Sequence, residues 1–343
     1  MKEKRSLRTY LSVLAIWFST TTCLVSCAND DNTGSGGNNW RQYSDEVYTY
    51  LNMANERESP DEATKASYAA TTWRIEGEDY KNMPKNFRSS KGELNAAPIN
   101  SQALPEPDYI PSSKGLDILC ISGSARFSLK ELNKLTEKIN ELADGRTKVM
   151  IDLRSECHGL VNGCHMSWFG RNNWANIGKK HDQIIAEEAQ LWEDIKGTTI
   201  TGYVISSKNA FEKVDPQEIE VEKEGTMTEQ QAVEKVGWKY YRVTAIDHAF
   251  PCDQVIDQFL GIYRSLPDNA WVHFHCHEGD GRTTTFMSFY DMLRNPDVPL
   301  KDILYRQAKL GGANLYYAGD ANDTGWRTPL YMESSIMVPL LYD

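Results

Sequence analysis

Apolar positions in the middle of the chain follow two patterns, short continuous runs and longer stretches with helical spacing. The run LDILCIS at residues 116–122 predicts a buried strand, and KVMIDLR at residues 148–154 predicts a second one. Between them, Ser128 and Glu131 have the spacing of a capping box that begins a helix. Four apolar side chains fall on one face of that helix: Leu132, Leu135, Ile139 and Leu142. Strand, helix and strand in this order indicate a parallel strand pair in an α/β core.

The pattern changes after a further helix, which is expected at about residues 181–195. The segments TTITGYVI and EIEVEKE have the residue pattern of strands. A short helical segment, TEQQAVEKV, follows them and precedes WKYYRVTAI. We therefore expect a β-rich insert at about residues 197–243, added to the α/β core.

A helix and then a strand–loop–helix unit follow the insert. Residues 253–266, DQVIDQFLGIYRSL, have the spacing of an amphipathic helix that begins at Asp253. WVHFH, residues 271–275, predicts a strand, and TTTFMSFYDML predicts the helix after it. One face of this last helix carries Phe286, Phe289, Tyr290 and Leu293.

The beginning of the chain has the features of an export signal. Four cations precede the apolar run LSVLAIWF at residues 11–18, which is too short to span a membrane. LVSC, ending at Cys27, resembles a bacterial lipobox, in which the cysteine is acylated and residues 1–26 are removed. A plain signal peptide or an uncleaved anchor are the alternatives. We expect a lipid anchor at Cys27, a flexible tether at residues 27–40 and a catalytic domain at residues 41–343, in the periplasm or at the outer surface of a Gram-negative envelope.

Length and charge limit the function further. The 343 residues suffice for one large domain or two small ones. Residues 1–26 carry four cations and one anion, so their removal changes the net charge from −11 to about −14. Such a protein does not attract nucleic acid through its overall field. An anionic substrate must be bound by a local group of cations.

The seven cysteines include five beyond the expected lipid anchor, an odd number for an exported protein, so at least one thiol should be free. They are Cys120, Cys157, Cys164, Cys252 and Cys276. In CHGLVNGCH, the two cysteines could bind a metal, form a disulfide or remain thiols, but their spacing fits no common zinc pattern. We expect no metal and no other cofactor.

The stretch HFHCHEGDGRTTTF, residues 273–286, falls at the predicted strand–loop–helix junction. Backbone N–H groups and the positive end of the helix dipole there stabilise an anion or a thiolate. Cys276 could therefore act as a nucleophile, with Arg282 gripping two phosphate oxygens and Thr283 donating a hydrogen bond to the sulfur. Gly279 and Gly281 let the backbone curl. The alternative is a buried structural cysteine beside a helix cap.

HCHEGDGRT is similar to the HCxxGxGRT signature of the protein tyrosine phosphatase superfamily. The wider stretch WVHFHCHEGDGRTTTFM resembles the bacterial protein-tyrosine-phosphatase-like phytases, which dephosphorylate myo-inositol phosphates. Further stretches resemble this branch in the same order, from about Arg88 to Arg327: IDLRSECHGLVNG, SWFGRNNWANIGK, AIDHAFP and LKDILYRQAKLGG. The resemblance implies an α/β phosphatase core with a small partial β-barrel, and hydrolysis of phosphomonoesters through a phosphocysteine intermediate.

The resemblance also implies roles for residues outside the cysteine itself. Asp247, 29 residues before Cys276, matches the general acid, although a helix cap or strand-end turn is the alternative. His248 beside it either contacts substrate or packs. The family's loop residues surround the substrate phosphate; here they are His277, Glu278, Gly279, Asp280 and Gly281. Cations that could reach the other phosphates are Arg88, Lys208, Lys213 and Arg327, with solvated surface side chains as the alternative.

Two loop residues depart from the family pattern. Glu278 and Asp280 stand where members often have small, apolar or basic residues, and a carboxylate at position 280 could repel a polyanion. Three function hypotheses therefore remain open at this point. They are an inositol polyphosphate phosphatase, a phosphatase for phosphotyrosine or phosphoinositide headgroups, and an inactive binder of phosphorylated ligands.

Overall fold

The fold is described here from a computed structural model, which covers residues 70–99, 103–176, 179–207, 212–248, 251 and 253–315. The predicted signal peptide, the lipid site Cys27 and the tether lie outside the described residues. So do Lys208, Cys252 and Arg327. No helix within the described ranges is long and apolar enough to cross a membrane.

The described residues form eleven strands and seven α-helices. The strands are β1 (Thr71–Ile75), β2 (Arg88–Ser89), β3 (Ile121–Ser124), β4 (Thr147–Asp152), β5 (His158–Val161), β6 (Cys164–Gly170), β7 (Thr199–Ser207), β8 (Glu212–Glu220), β9 (Thr226–Thr228), β10 (Lys239–Arg242) and β11 (Ala270–His275). The helices are α1 (Leu116–Leu119), α2 (Leu129–Ala143), α3 (His181–Asp194), α4 (Glu229–Lys235), α5 (Asp253–Ser265), α6 (Gly281–Arg294) and α7 (Leu300–Lys309). The expected α/β class is confirmed.

A five-stranded sheet in the order β10-β4-β11-β3-β2 forms the core. Strand β11 is buried along its whole length and pairs in parallel with both neighbours, so that Val272 faces Ile121 on one side and Val149 on the other. A strand covered on both faces needs apolar residues in succession, which explains the continuous runs in the sequence. Because β11 is central, its carboxyl end places the following loop in the middle of one sheet edge.

Helices cover both faces of this sheet. On one face Phe259 of α5 packs against Phe274 of β11 and Phe286 of α6, with ring centroids 6.2 and 5.2 Å away. On the other face α2 buries three of its four predicted apolar side chains completely: Leu132, Leu135 and Ile139. The capping box between Ser128 and Glu131 is present at the start of α2, as expected.

A second sheet has six strands in the order β8-β7-β1-β6-β5-β9. The expected β-rich insert supplies three of them, β7, β8 and β9. The other three come from outside the insert, and β10 from the end of the insert joins the core sheet instead. The segment at 197–243 is therefore not a separate unit, because β7 pairs with β1 and β9 pairs with β5.

CHGLVNGCH forms a β-hairpin rather than a metal-binding knuckle. Val161 pairs with Cys164 across the turn, and Asn162 and Gly163 both have positive φ (49° and 84°), as a two-residue turn of the primed type requires. Cys157 and Cys164 are both free thiols, so the disulfide alternative is wrong for this structure.

Two details of the predicted α/β unit are wrong. LDILCIS is not one strand, because Leu116–Leu119 makes a helical turn and the strand begins at Ile121 after Cys120 with φ 54°. A short apolar run does not distinguish helix from strand by its pattern alone. Strands β3 and β4 are both parallel to β11, which lies between them, so they are not neighbours.

Candidate active site

The cysteine loop joins the carboxyl end of β11 to the start of α6, in the middle of the core sheet. Cys276 is 3% exposed. Gly279 has φ 71°, and a Cβ there would lie 2.4 Å from the backbone N of Ala125 and 2.4 Å from the backbone C of Ser124, so only glycine fits. Gly281 differs, since a Cβ at that position would meet no atom within 4 Å. The first glycine is therefore required by the fold of the loop and the second is not.

Arg282, in the first turn of α6, is fixed by several acceptors. Its Nη1 and Nη2 donate to the two carboxylate oxygens of Glu156 at 2.9 and 3.2 Å. Nη1 also donates to the carbonyl oxygens of Leu153 (3.3 Å) and Ala245 (3.1 Å). Burial would lower the pKa of Arg282, but the charges of Asp247, Glu156 and Cys276 outweigh it and raise that pKa above its usual value. The guanidinium is thus a permanent cation in a fixed plane, suited to two phosphate oxygens.

Thr283 follows Arg282 and is completely buried. Its methyl group would lie 2.8 Å from a Cβ at Gly123, so a small residue in β3 makes room for it. Its Oγ1 has no hydrogen-bond partner among the described residues, although a buried hydroxyl normally has one. The hydroxyl is therefore open to the role expected from the sequence, donation to the sulfur of Cys276.

Asp247 lies directly beside Arg282, with its Oδ2 3.2 Å from the Arg282 Nη2. Asn173 Nδ2 donates to the same Oδ2 at 2.6 Å, and the backbone N of His248 donates to Oδ1 at 3.1 Å. The indole Nε1 of Trp174 donates to the backbone carbonyl of Asp247 at 2.8 Å. The imidazole of His248 is within 3.5 Å of Asp247 Oδ2, and its backbone has φ 64°. The structure thus brings the candidate acid to Arg282, the candidate phosphate-binding residue.

Arg88 lies behind the loop and is 4% exposed. It donates to the Gly279 carbonyl at 2.7 Å and to the Thr284 hydroxyl at 3.0 Å. Burial lowers the pKa of Arg88 to about 10, against the opposing charges of Cys276 and Asp280. In this position Arg88 supports the loop and adds positive charge near the sulfur, which sequence reasoning did not anticipate. A direct contact with substrate stays a prediction.

His277 and Glu278 occupy different environments. The His277 side chain is almost fully buried, with Nδ1 2.8 Å from Glu278 Oε1 and Nε2 3.3 Å from Glu76 Oε1. Its carbonyl accepts from the backbone N and from Nη1 of Arg126. The Glu278 side chain is 43% exposed and lies 3.5 Å from Arg126 Nη1. Burial leaves the His277 side chain little access to a ligand, whereas Glu278 reaches the surface.

Asp280 and Lys213 complete the described candidates. Asp280 precedes α6 without a side-chain capping bond, and its carbonyl accepts from the backbone N and Oγ1 of Thr284, both at 2.9 Å. Its negative charge acts on Arg88. Lys213 is exposed on the edge strand β8, with its Nζ 4.8 Å from the Tyr203 ring centroid. Its strand belongs to the six-stranded sheet, whereas the cysteine loop follows β11 of the core sheet.

A buried group of histidines and carboxylates lies below the loop. His158 Nε2 is 3.1 Å from Asp152 Oδ2 and 3.2 Å from Glu229 Oε2, and His275 Nε2 is 2.6 Å from Glu229 Oε1. His158, His165 and Glu229 have the donor types and proximity of a metal site.

A cation already lies beside this buried group of histidines and carboxylates, since Arg154 Nη1 is 3.2 Å from His165 Nε2. Burial and Arg154 lower the pKa of His158, but Asp152 and Glu229 outweigh them and raise it to about 10. The geometry fits a proton on His158 better than a divalent metal beside Arg154.

Sequence reasoning missed the residues that hold the site together. Glu156 and Asn173 lie inside stretches already singled out, IDLRSECHGLVNG and SWFGRNNWANIGK, yet their partners are 126 and 74 residues away. One signal in the sequence could have indicated Glu156. It follows the carboxyl end of β4, and the cysteine loop lies at the same edge of the sheet.

Comparisons with known proteins find phosphatases that are similar to this chain. Residues 151–294 match the sequence model of the protein-tyrosine-phosphatase-like phytase family, whose description is inositol hexakisphosphate. A tandemly repeated phytase of this type from Mitsuokella multacida is 34% identical with a TM-score of 0.74, over 86% of this chain and 48% of that one. The myo-inositol phosphatase of this type from the same organism, solved with myo-inositol-(1,3,4,5)-tetrakisphosphate, gives the same values. A phytase from Bdellovibrio bacteriovorus is 29% identical with a TM-score of 0.58, over 80% of this chain and 88% of that one.

The fold and the cysteine loop define a chain of the protein tyrosine phosphatase type. More narrowly, the expected resemblance to the protein-tyrosine-phosphatase-like phytases is confirmed, since the family model matches residues 151–294 and solved phytases of this type are similar to the chain. It is also 32% identical over 198 residues to the effector protein hopD2 of Pseudomonas syringae pv. tomato, covering 57% of this chain and 42% of that protein. The chain spans about half the length of the first relatives it matches.

Proposed function

We propose that this protein is a phosphatase that removes phosphates from myo-inositol polyphosphates through a phosphocysteine intermediate. The observation that carries the proposal is the position of Arg282. Its guanidinium is held by both oxygens of Glu156 and touches Asp247, at the start of the helix that follows Cys276. A relative solved with an inositol tetrakisphosphate supports the substrate class.

In the first step the Cys276 thiolate attacks the substrate phosphorus. The S–P bond forms while the P–O bond to the inositol breaks. Asp247 gives its proton to the leaving oxygen, which would otherwise depart as an unstable alkoxide. Arg282 and the N–H groups of the loop hold the phosphate oxygens as charge moves across them.

In the second step water attacks the phosphorus of the phosphocysteine. Asp247, now a carboxylate, takes the proton from that water. The S–P bond breaks, and the electron pair returns to Cys276. The unpartnered Thr283 hydroxyl is available to donate to the departing sulfur, and inorganic phosphate leaves.

The substrate class is tested by phosphate release from three compounds. They are inositol hexakisphosphate, an inositol tetrakisphosphate and a phosphotyrosine peptide, each with the wild type and with Cys276→Ser. We expect the highest kcat/KM with an inositol phosphate and no turnover by the variant. A preference for the peptide would assign the site to phosphotyrosine instead.

We further propose that Cys27 carries a lipid that anchors the protein in the envelope of a Gram-negative bacterium. The apolar run before LVSC and the polar stretch after it support this. Cys27→Ala should move the protein from the detergent phase to the aqueous phase in a detergent partition. A wild type already found in the aqueous phase would exclude the anchor.

A further inference from the structure

The candidate acid is held from one side by a short turn after β6. Residues Arg171–Asn173 form a short turn in which Asn172 and Asn173 both have positive φ, and Asn173 is completely buried. Its amide contacts the Asp247 carboxylate, and the next residue, Trp174, contacts the Asp247 backbone. Two adjacent residues therefore hold both the side chain and the main chain of Asp247.

The orientation of the Asn173 amide is set by a second contact. Arg74 Nη1 lies 3.2 Å from Asn173 Oδ1. A guanidinium only donates hydrogen bonds, so the oxygen of the amide must face Arg74 and the NH₂ group must face Asp247. Arg74 is itself buried, with its guanidinium 5.1 Å from the Phe169 ring centroid and 3.6 Å from Glu76 Oε1.

This chain of contacts has a chemical consequence. Hydrogen-bond donation to a carboxylate favours its charged form, whereas an acid catalyst must hold a proton when the leaving group departs. The guanidinium of Arg282 and the imidazole of His248 face the same carboxylate oxygen, at 3.2 and 3.5 Å. Beside them, the amide aligns Asp247 and limits how readily it takes a proton.

We propose that Asn173 is a positioning residue that aligns the general acid Asp247 and sets the pH range in which it can act. The inference rests on the proposed function, because Asp247 matters only if it is the acid. It goes beyond that function because it identifies Asn173, itself held by Arg74, as the residue that orients the acid.

The test uses aryl phosphates with good and poor leaving groups, so it does not depend on the inositol specificity. Asn173 has φ 64°, which glycine accepts without strain. Asn173→Gly should slow a poor leaving group about tenfold and an activated one less than about twofold, because only the poor one needs the aligned acid.

Asn173→Asp keeps the size of the side chain and adds a like charge to Asp247. The alkaline limb of the pH profile for the poor leaving group should then move upward by about one pH unit, since the new charge favours the protonated acid.

Asn172→Gly is the matched control. Asn172 is the neighbouring residue, is equally buried and has φ 60°. Its side-chain amide has no hydrogen-bond partner among the described residues. This variant tests the backbone effect of glycine alone and should leave the difference between the two esters unchanged.

A second set of variants separates the possible failures. In an Asp247→Asn background, Asn173→Gly should cause no further slowing. Further slowing there, or equal slowing of both esters by Asn173→Gly, would overturn the inference. If Asp247→Asn itself slows both esters equally, the acid of the proposed mechanism is wrong, which is a separate result.

Discussion

Arg282 Nη2 lies 3.2 Å from Asp247 Oδ2, so the cation that would hold phosphate contacts the carboxyl group that would protonate the leaving oxygen. This contact couples the two functions. A phosphate dianion bound to Arg282 offsets the positive charge that favours the Asp247 carboxylate. Phosphate binding would thereby favour the protonated acid that the first step of the proposed mechanism requires.

Glu156 should be essential for the position of Arg282. Glu156→Gln keeps the size of the side chain but leaves a buried guanidinium facing a neutral amide. Loss of one partner from a buried ion pair costs about 3–5 kcal/mol. We expect a lower free energy of unfolding in urea and at least about a tenfold loss of kcat/KM.

Glu193→Gln is the control for that change, because Glu193 pairs with Lys196 at the surface and is 65% exposed there. It should alter stability by less than about 1 kcal/mol. Full activity in Glu156→Gln would show that Arg282 does not depend on Glu156.

The two glycines of the loop should differ in their tolerance of a methyl group. Gly279→Ala places a Cβ 2.4 Å from the backbone of β3 and of the residue after it, at a positive φ, so the loop must shift. Activity should fall at least tenfold, roughly the cost of a small misplacement of catalytic groups. Gly281→Ala meets no atom within 4 Å and should fold normally. A thermal unfolding curve and the rate with an aryl phosphate measure both. Equal losses in the two variants would contradict the loop geometry.

Asp280 should weaken the binding of highly charged substrates. Its carboxylate offsets part of the positive charge of Arg88 near Cys276. A unit charge several ångströms away is worth on the order of 1 kcal/mol at a wet site. Asp280→Asn should therefore lower KM several-fold for inositol hexakisphosphate and less for an inositol with one phosphate. Added salt should reduce the difference, and an equal effect on both substrates would exclude the charge explanation.

His158 should make stability depend on pH on the alkaline side. Its folded-state pKa of about 10 is above the ordinary value of 6.5, so its contribution is complete below about pH 6.5 and is lost as the pH rises towards 10. The free energy of unfolding should fall across that window, and less steeply in His158→Gln. His181→Gln is the control, because burial lowers the pKa of His181 and it does not titrate there. Parallel slopes in wild type and His158→Gln would contradict a charged His158.

Sequence patterns predicted the parts of the fold that depend on local spacing. The helix with Ser128 as its cap and the buried strand WVHFH both form where the apolar pattern placed them. The order of strands in the sheet could not be predicted, since the strand between β3 and β4 is β11, which comes much later in the chain.

The same limit applies to the site. Cys276, Arg282 and Thr283 lie within one short stretch of the sequence, and its motif indicated them. Asn173 and Glu156 act through side-chain contacts across long separations, which spacing does not encode. Arg88 was expected near substrate because of the family resemblance, but its burial against the Gly279 carbonyl follows from the pairing of β2 with β3.

The central claim is that the phosphoryl group passes through the sulfur of Cys276. The most direct test is to mix the Asp247→Asn variant with an activated aryl phosphate, quench in acid within milliseconds and measure the mass of the peptide that contains Cys276. The variant keeps the nucleophile but lacks the group that activates water, so the account predicts about 80 Da of added phosphoryl on that cysteine. A burst of aryl alcohol with no mass added to the Cys276 peptide would contradict it.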